Sequence, residues 1–228
     1  MNLIYSTPLF GVAATVIAYS IGTGAHRRWR WAHGLVVTCG LLIAMILLGH
    51  VPYADYKVGG DLVAFFLGPA TVALGVPLYK RAREIQQHLK AVILSVIAGA
   101  AVGIISAVLL VKLAGGSRTV MLSMAPKSVT TPISMEVSRM IGGTPELTAV
   151  LTVLAGLIGS VIGPWVLKCV GVKDDISVGV AMGTSSHGIG TARLVRESEL
   201  AGGVAGLSMA LAGIVTSLMA VGIKWWVK

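Results

Sequence analysis

Charged side chains are scarce in this sequence. Only 12% of its 228 residues are Asp, Glu, Lys or Arg, whereas 55% are hydrophobic. A soluble domain usually carries about 25% charged residues. With a mean hydropathy of +0.86, the chain is expected to be an integral membrane protein embedded in a lipid bilayer.

Acidic residues and cysteines are also few. The chain has 9 Asp and Glu against 18 Lys and Arg, a formal net charge of +9. The basic residues form short clusters between apolar runs, as at Arg27–Arg28 and Lys80–Arg81. That is the positive-inside pattern of membrane proteins and not a basic face for nucleic acid. Cys39 and Cys169 lie in apolar runs, so neither a disulfide framework nor a metal site is expected.

Apolar runs long enough to cross a membrane as helices fill most of the chain. They predict an all-α, polytopic integral membrane protein of about eight segments, forming a single membrane domain over residues 1–228. The segments are 3–21, 34–49, 59–79, 91–113, 116–141, 147–170, 176–199 and 202–228. The basic clusters then place both chain ends outside, with Arg139 and Arg193 near the inner side and Lys168 and Lys173 outside.

The segment 59–79 is a poor helix because it contains Pro69 and Pro77 among several glycines. A bent ordinary span and a functional, discontinuous helix would both have this composition. Around Pro69 and Thr71, the run Gly68–Val72 is similar to Ala125–Val129. Transporters are often built from repeated halves with one interrupted helix each, so inverted repeats are one interpretation of this similarity.

The segment 116–141 is interrupted by polar residues between Pro126 and Pro132. Its candidate substrate-binding residues are Lys127, Ser128, Thr130 and Thr131. Threonine is a good N-cap and proline is favoured at the first helical position, so we predict a half-helix from Pro132 to about Met140. Its positive end, the hydroxyl groups and Lys127 suit a carboxylate or another small anion.

The segment 176–199 is interrupted in the same way. Its candidate substrate-binding residues are Ser185, Ser186, His187, Gly188, Gly190, Thr191 and Arg193. We expect the two glycines to permit close backbone approach or left-handed angles. Thr191 is predicted to cap a half-helix that carries Arg193 in its first turn, while His187 donates to the anion or carries a coupled proton. Whether either broken segment crosses the membrane or folds back is open.

Structural alternatives exist for both stretches. Lys127 and Glu136 would form an intramembrane ion pair, and His187 would only cap a broken backbone. Peptidase chemistry is disfavoured because Ser186 and His187 are adjacent in sequence, whereas a nucleophile and its base usually face each other from separate elements. No metal-ligand cluster, paired carboxylates or phosphate loop is apparent. We therefore expect neither an enzyme nor a cofactor, and leave coupling to H⁺ or Na⁺ open.

Two motifs resemble the signatures of the LrgB/CidB (YohK-like) family of membrane proteins. They are Pro126–Ile133, P-K-S-V-T-T-P-I, and His187–Arg193, H-G-I-G-T-A-R. Pro69–Leu74 and Pro77–Tyr79 are similar to the first polar segment of that family, so the resemblance covers nearly the whole chain. One departure is Ser134, where a small apolar residue is expected.

The resemblance implies two accounts of function. In one, the chain is a holin- or antiholin-like regulator of murein hydrolase export, autolysis and programmed cell death. In the other, it transports small monocarboxylates such as pyruvate, as related plant proteins carry glycolate and glycerate. Both accounts imply a bacterial cell (inner) membrane, a small LrgA/CidA-like membrane partner and homo-oligomers. The polar breaks favour transport, with elevator-like alternating access as the expected movement.

Overall fold

A computed structural model describes residues 7–29, 34–73 and 75–227. These residues form helices joined by short turns, and none of them lies in a β-strand. Within the described part of the chain, five helices are long and apolar enough to cross a membrane. Four of them are the unbroken helices Pro8–Arg28, Leu89–Leu113, Pro145–Cys169 and Glu199–Ile223, the fifth begins at Tyr53 and is interrupted, and Gly34–Leu48 is a shorter apolar helix. The prediction of an all-α, polytopic membrane protein is confirmed.

The chain divides into two compact units, the first ending at Ala73. The first unit contains α1 (Pro8–Arg28), α2 (Gly34–Leu48), α3 (Tyr53–Phe65) and α4 (Leu67–Ala73). Helix α1 packs against α3 where Gly11 meets Gly59, and a Cβ on Gly11 would lie 2.8 Å from the Cα of Gly59. Glycine at such positions lets two helix backbones approach closely.

The predicted interruption of the third segment is real. Helix α3 ends at Phe65 and α4 begins at Leu67, so the helix breaks at Phe66. Pro69 has no N–H for the carbonyl of Phe65, four residues earlier, which accounts for the break. The backbone of Thr71 lies in α4, whereas its side chain lies outside the described part of the structure. Pro77 lies in α5 (Gly75–Lys80), the first helix of the second unit.

The second unit carries both polar stretches. After α5 come α6 (Ala82–Gln87), α7 (Leu89–Leu113), α8 (Arg118–Met124), α9 (Thr131–Ile141), α10 (Pro145–Cys169), α11 (Asp175–Glu197) and α12 (Glu199–Trp226).

Helices α8 and α9 are the two arms of a hairpin, named hairpin 1 (residues 118–141). Leu122 in α8 and Ile141 at the end of α9 share one buried cluster. The backbone N–H of Thr144 also donates to the Ser123 hydroxyl, with an N–O distance of 2.8 Å. Residues 125–130 form the first tip.

Helix α11 is a second hairpin, named hairpin 2. A straight helix of its 23 residues would be about 35 Å long. Yet the hydroxyl of Ser198, just after its last residue, donates to the carboxylate of Asp175, its first residue, at 2.5 Å. The chain reverses at His187, which has φ 40° and ψ −136°. A Cβ on Gly190 would accordingly lie 3.1 Å from the carbonyl oxygen of Met182, on the opposite arm. Residues 186–188 form the second tip.

The hairpins enter the second unit from opposite ends. Helices α9 and α10 run antiparallel, as the hydroxyl contacts Thr148–Ser138 (2.6 Å) and Thr152–Ser134 (3.0 Å) show. The base of hairpin 1 therefore lies beside the first turn of α10, whereas hairpin 2 begins after the last turn of α10. Both broken segments fold back, so neither crosses the membrane by itself.

Folding back changes the predicted sidedness of several charges. Lys168 and Lys173 lie at the base of hairpin 2, and there Glu199 pairs with Lys80 (N–O distance 2.9 Å). Arg139 lies near the opposite end, at the base of hairpin 1. The prediction that put Lys168 and Lys173 on the side opposite to Lys80, and Arg139 on the same side as Arg193, is wrong, because it assumed that each broken segment crosses once. The end rich in Lys and Arg is expected to face the cytosol.

Candidate functional site

The first tip ends at the positive end of α9. This helix begins at Thr131, with Thr130 as an extended N-cap (φ −62°, ψ 146°) and Pro132 in its first turn. The start is one residue earlier than predicted, and the Thr130 side chain makes no capping hydrogen bond. The helix ends at Ile141, where the left-handed Gly142 (φ 94°) stops it. The N–H groups of its first turn therefore point towards the first tip.

Lys127 is a half-buried cation on the first tip. Its ammonium donates to the hydroxyl of Ser128 at 3.0 Å. It forms no ion pair with any carboxylate in the described part of the chain. Glu136, its alternative partner, instead accepts from Arg139 on the same helix at 2.6 Å. The predicted alternative of a structural Lys127–Glu136 pair is therefore wrong.

The second tip is held by His187, which is 4% exposed. Its Nε2 lies 2.9 Å from the carbonyl oxygen of Thr152 on α10. A carbonyl only accepts, so Nε2 carries the proton in this arrangement and the neutral ring leaves Nδ1 as an acceptor. The left-handed backbone angle belongs to His187 and not to Gly188 or Gly190.

The predicted start of the half-helix at Thr191 is wrong. The chain reverses at His187, four residues earlier, and Thr191 lies inside the second arm. Its hydroxyl donates to the carbonyl oxygen of His187 at 2.8 Å and so supports the tip from one turn away. Gly190 is needed for close approach, because a Cβ there would lie 2.6 Å from the Cβ of Ser186. Gly188 lies close to Met209 of α12.

Arg193 lies towards the base of hairpin 2, six residues after His187. Its guanidinium donates to the carbonyl oxygen of Ser160 on α10 at 2.5 Å and to the carboxylate of Glu197 at 2.8 Å. The contact with Ser160 connects the second arm to α10, whereas Glu197 lies on the same arm. Anion binding by Arg193 stays a prediction.

The two serines of the second stretch face α10. Ser185 is exposed, and its hydroxyl donates to the carbonyl oxygen of Ala181 at 2.7 Å. It lines a groove of about 240 Å³ between α10 and hairpin 2. Ser186 is buried against Gly159 of α10. Because His187 contacts Thr152 rather than these serines, the geometry offers no support for a serine nucleophile with a histidine base.

A chain of hydrogen bonds joins the two tips through α10. The hydroxyl of Ser134 donates to the carbonyl oxygen of Thr131 at 2.9 Å, and the hydroxyl of Thr152 donates to Ser134 at 3.0 Å. The carbonyl of Thr152 in turn accepts from His187. Ser134 and Thr152 are fully buried, and sequence reasoning did not select them as site residues. The regular spacing of Thr148, Thr152, Gly156 and Ser160 along one face of α10 is the sequence pattern that could have indicated a buried polar contact there.

Comparison with known proteins identifies relatives over nearly the full length. The sequence model of the LrgB-like family matches residues 15–226. The uncharacterized protein YwbG of Bacillus subtilis is 40% identical over 204 residues, 89% of this chain and 91% of that protein. The antiholin-like protein LrgB of Bacillus subtilis is 33% identical over 219 residues, 93% of this chain and 94% of that protein. The antiholin-like protein LrgB of Bacillus cereus (strain B4264) is 31% identical over 216 residues, 92% and 93% of the two chains. No solved structure matches the chain.

Proposed function

Since this multi-pass membrane protein belongs to the LrgB-like family, we propose that it carries small monocarboxylates across the bacterial cell membrane. The substrate class is pyruvate or anions like glycolate and glycerate. The binding site lies between the two hairpin tips in the second unit. A small LrgA/CidA-like membrane protein and further copies of the chain are the proposed partners.

The observation that carries this proposal is Lys127. A cation at membrane depth without an acidic partner is costly, and such residues usually mark an ion or substrate pathway. In the described structure Glu136 forms an ion pair with Arg139, and Lys127 contacts a hydroxyl group instead of a carboxylate. A bound carboxylate would supply the missing negative charge.

Groups around Lys127 suit the oxygens of a carboxylate. Ser128 provides a hydroxyl beside the ammonium, and the first turn of α9, from Thr131, provides backbone N–H donors and a positive dipole end. The second tip adds His187, whose Nδ1 is the ring atom left to take up a coupled proton.

Two opposed hairpins also suit alternating access. Each hairpin has both its ends at one end of the second unit, and each contacts Thr152 of α10, hairpin 1 through Ser134 and hairpin 2 through His187. Withdrawal of one tip would open the site to one side while the other tip keeps it closed. Movement of the hairpins together with α10 and α12 would be elevator-like.

A second candidate function is antiholin-like regulation of murein hydrolase export and autolysis. It is favoured by the names of the relatives in Bacillus subtilis and Bacillus cereus, each called antiholin-like protein LrgB. In that function the chain would act by assembly, and the tips would gate or modulate a pore. Solute leakage without saturation, indifferent to His187→Ala, distinguishes this function from carriage.

The decisive experiment is uptake of labelled pyruvate into proteoliposomes, with and without an LrgA-like partner. Wild-type protein is expected to show saturable uptake, and Lys127→Met is expected to lower it by about 10- to 100-fold, the range for losing a hydrogen bond to a charged group. Lys90→Met, at the exposed start of α7, is the matched control and should not change uptake. Leakage of unrelated dyes without saturable uptake, under every ion gradient tried, would contradict the proposal.

A further inference from the structure

Two hydroxyl groups in the second unit are buried without a hydrogen-bond partner among the described residues. They belong to Thr184, in the first arm of hairpin 2, and Ser208, in α12. Thr184 is 7% exposed and Ser208 is 0% exposed. A buried polar group left without a partner costs about 1–3 kcal/mol, so such groups call for an explanation.

Other hydroxyls on the same two elements are satisfied locally. Ser185 and Thr191 donate to backbone carbonyls one turn earlier in hairpin 2, at 2.7 Å and 2.8 Å. Ser217 does the same in α12, where its hydroxyl lies 2.8 Å from the carbonyl oxygen of Gly213. This back-bonding is the ordinary solution for serine and threonine inside helices. Thr184 and Ser208 depart from it.

Along α7, Thr184 lies about one helical turn from the first tip. Helix α7 passes both hairpins with the small residues Gly99 and Gly103, one turn apart. A Cβ on Gly99 would lie 3.2 Å from the Cγ2 of Thr184, and a Cβ on Gly103 would lie 3.6 Å from the hydroxyl oxygen of Ser128. One face of α7 therefore places Thr184 one helical turn from Ser128, the residue that contacts Lys127.

Ser208 faces the same region from α12. Helical spacing of four places it on one face with Val204 and Ala212. Those two residues are buried in one cluster with Val129 of the first tip and Val96 of α7. Ser208 is therefore the polar position between two residues of α12 that share a buried cluster with the first tip.

We infer that Thr184 and Ser208 are specificity-determining residues that hydrogen-bond a second oxygen of the carried anion, on the carbon next to its carboxylate. This inference rests on the proposed function, in which Lys127 and the first turn of α9 take the carboxylate. The ligand class is then the 2-oxo and 2-hydroxy monocarboxylates. Acids without that oxygen leave both hydroxyls unpaired. A binding site built to hydrogen-bond a polar group of its substrate rejects analogues that lack this group.

The test compares pyruvate with propionate, which has the same carbon chain without the 2-oxygen. Inhibition of labelled pyruvate uptake by each acid in proteoliposomes gives the ratio of their apparent affinities. Wild type is expected to prefer pyruvate. Thr184→Val and Ser208→Ala should each lower the affinity for pyruvate about tenfold and leave that for propionate unchanged. Ser217→Ala, which removes a satisfied hydroxyl from α12, should not change the ratio.

Thermal unfolding of the ligand-free protein separates this role from a structural one. Removal of a buried hydroxyl that has no partner should leave the Tm unchanged or raise it, because nothing is lost in the free protein. A lowered Tm in both variants would show that these hydroxyls are bonded within the protein and would overturn the inference.

The outcomes distinguish the inference from the proposed function. Lys127-dependent uptake with an unchanged pyruvate-to-propionate ratio in both variants would overturn the inference and leave carriage standing. Absence of pyruvate uptake by the wild type would overturn the proposed function and the inference together.

Discussion

Ser134 connects the first tip to α10. It donates to the carbonyl oxygen of Thr131 at the start of α9 and accepts from Thr152 in a fully buried contact. In the sequence it appears only as a departure from a small apolar residue. Its role could not be predicted, because the partner hydroxyl comes from a helix 18 residues away.

Replacement of Ser134 tests this contact. Ser134→Ala should lower the free energy of unfolding by about 1–3 kcal/mol, because the Thr152 hydroxyl then has no acceptor. The double variant Ser134→Ala/Thr152→Val should lose less than Ser134→Ala alone, since both polar groups are removed together. Thermal unfolding in detergent measures both values. A double variant that loses as much stability as Ser134→Ala alone, or more, would contradict this coupling between the two hydroxyls.

At the scale of the element, the first hairpin was predicted from local sequence more accurately than the second. Thr130 and Pro132 predicted the start of α9 within one residue, and the predicted end at about Met140 lies one residue before Ile141. At the second hairpin the glycines and Thr191 suggested the wrong turn. His187 adopts the left-handed conformation instead, although φ > 0 is uncommon for any residue other than glycine. It is held there by Thr152 from another helix, a tertiary contact that no local pattern reveals.

The base of hairpin 2 carries a pH-dependent cap. Asp174 accepts from the backbone N–H of Ser177 at 2.8 Å, and this hydrogen bond lowers the pKa of its carboxyl below the ordinary value of 3.8. The cap therefore contributes its full stability above that value and loses it as the pH falls through the lower, folded-state pKa.

Asp174→Ala should cost about 1 kcal/mol of stability at pH 7, the usual value of an N-cap, and the difference from wild type should shrink in acid. Asp174→Asn is the matched control, because asparagine also caps helices and does not titrate in this range. Thermal unfolding between neutral and acidic pH is the measurement. A difference that is constant with pH would contradict the assignment of the cap to the carboxylate.

At the scale of the whole molecule, hydropathy identified the apolar segments but not their paths. A broken helix that crosses and a hairpin that returns have the same composition. They differ only in contacts between distant residues, such as Ser198 with Asp175. For the same reason the predicted separation of Lys173 from Lys80 is wrong.

Labelling of single cysteines tests the path of the chain. In a background without Cys39 and Cys169, Lys173→Cys and Lys80→Cys should react with a membrane-impermeant reagent from the same side. Glu146→Cys, in the exposed first turn of α10, should react only from the other side. Labelling of Lys173→Cys from the same side as Glu146→Cys would show that hairpin 2 does not begin where the structure places it.

Thr152 of α10 contacts both hairpins. This one residue holds the first hairpin through its hydroxyl and the second through its carbonyl. If the chain carries anions as proposed, withdrawal of one hairpin breaks one of these contacts and leaves the other in place. Because one residue makes both contacts, a ligand that loosens one of them is then expected to change the strength of the other as well.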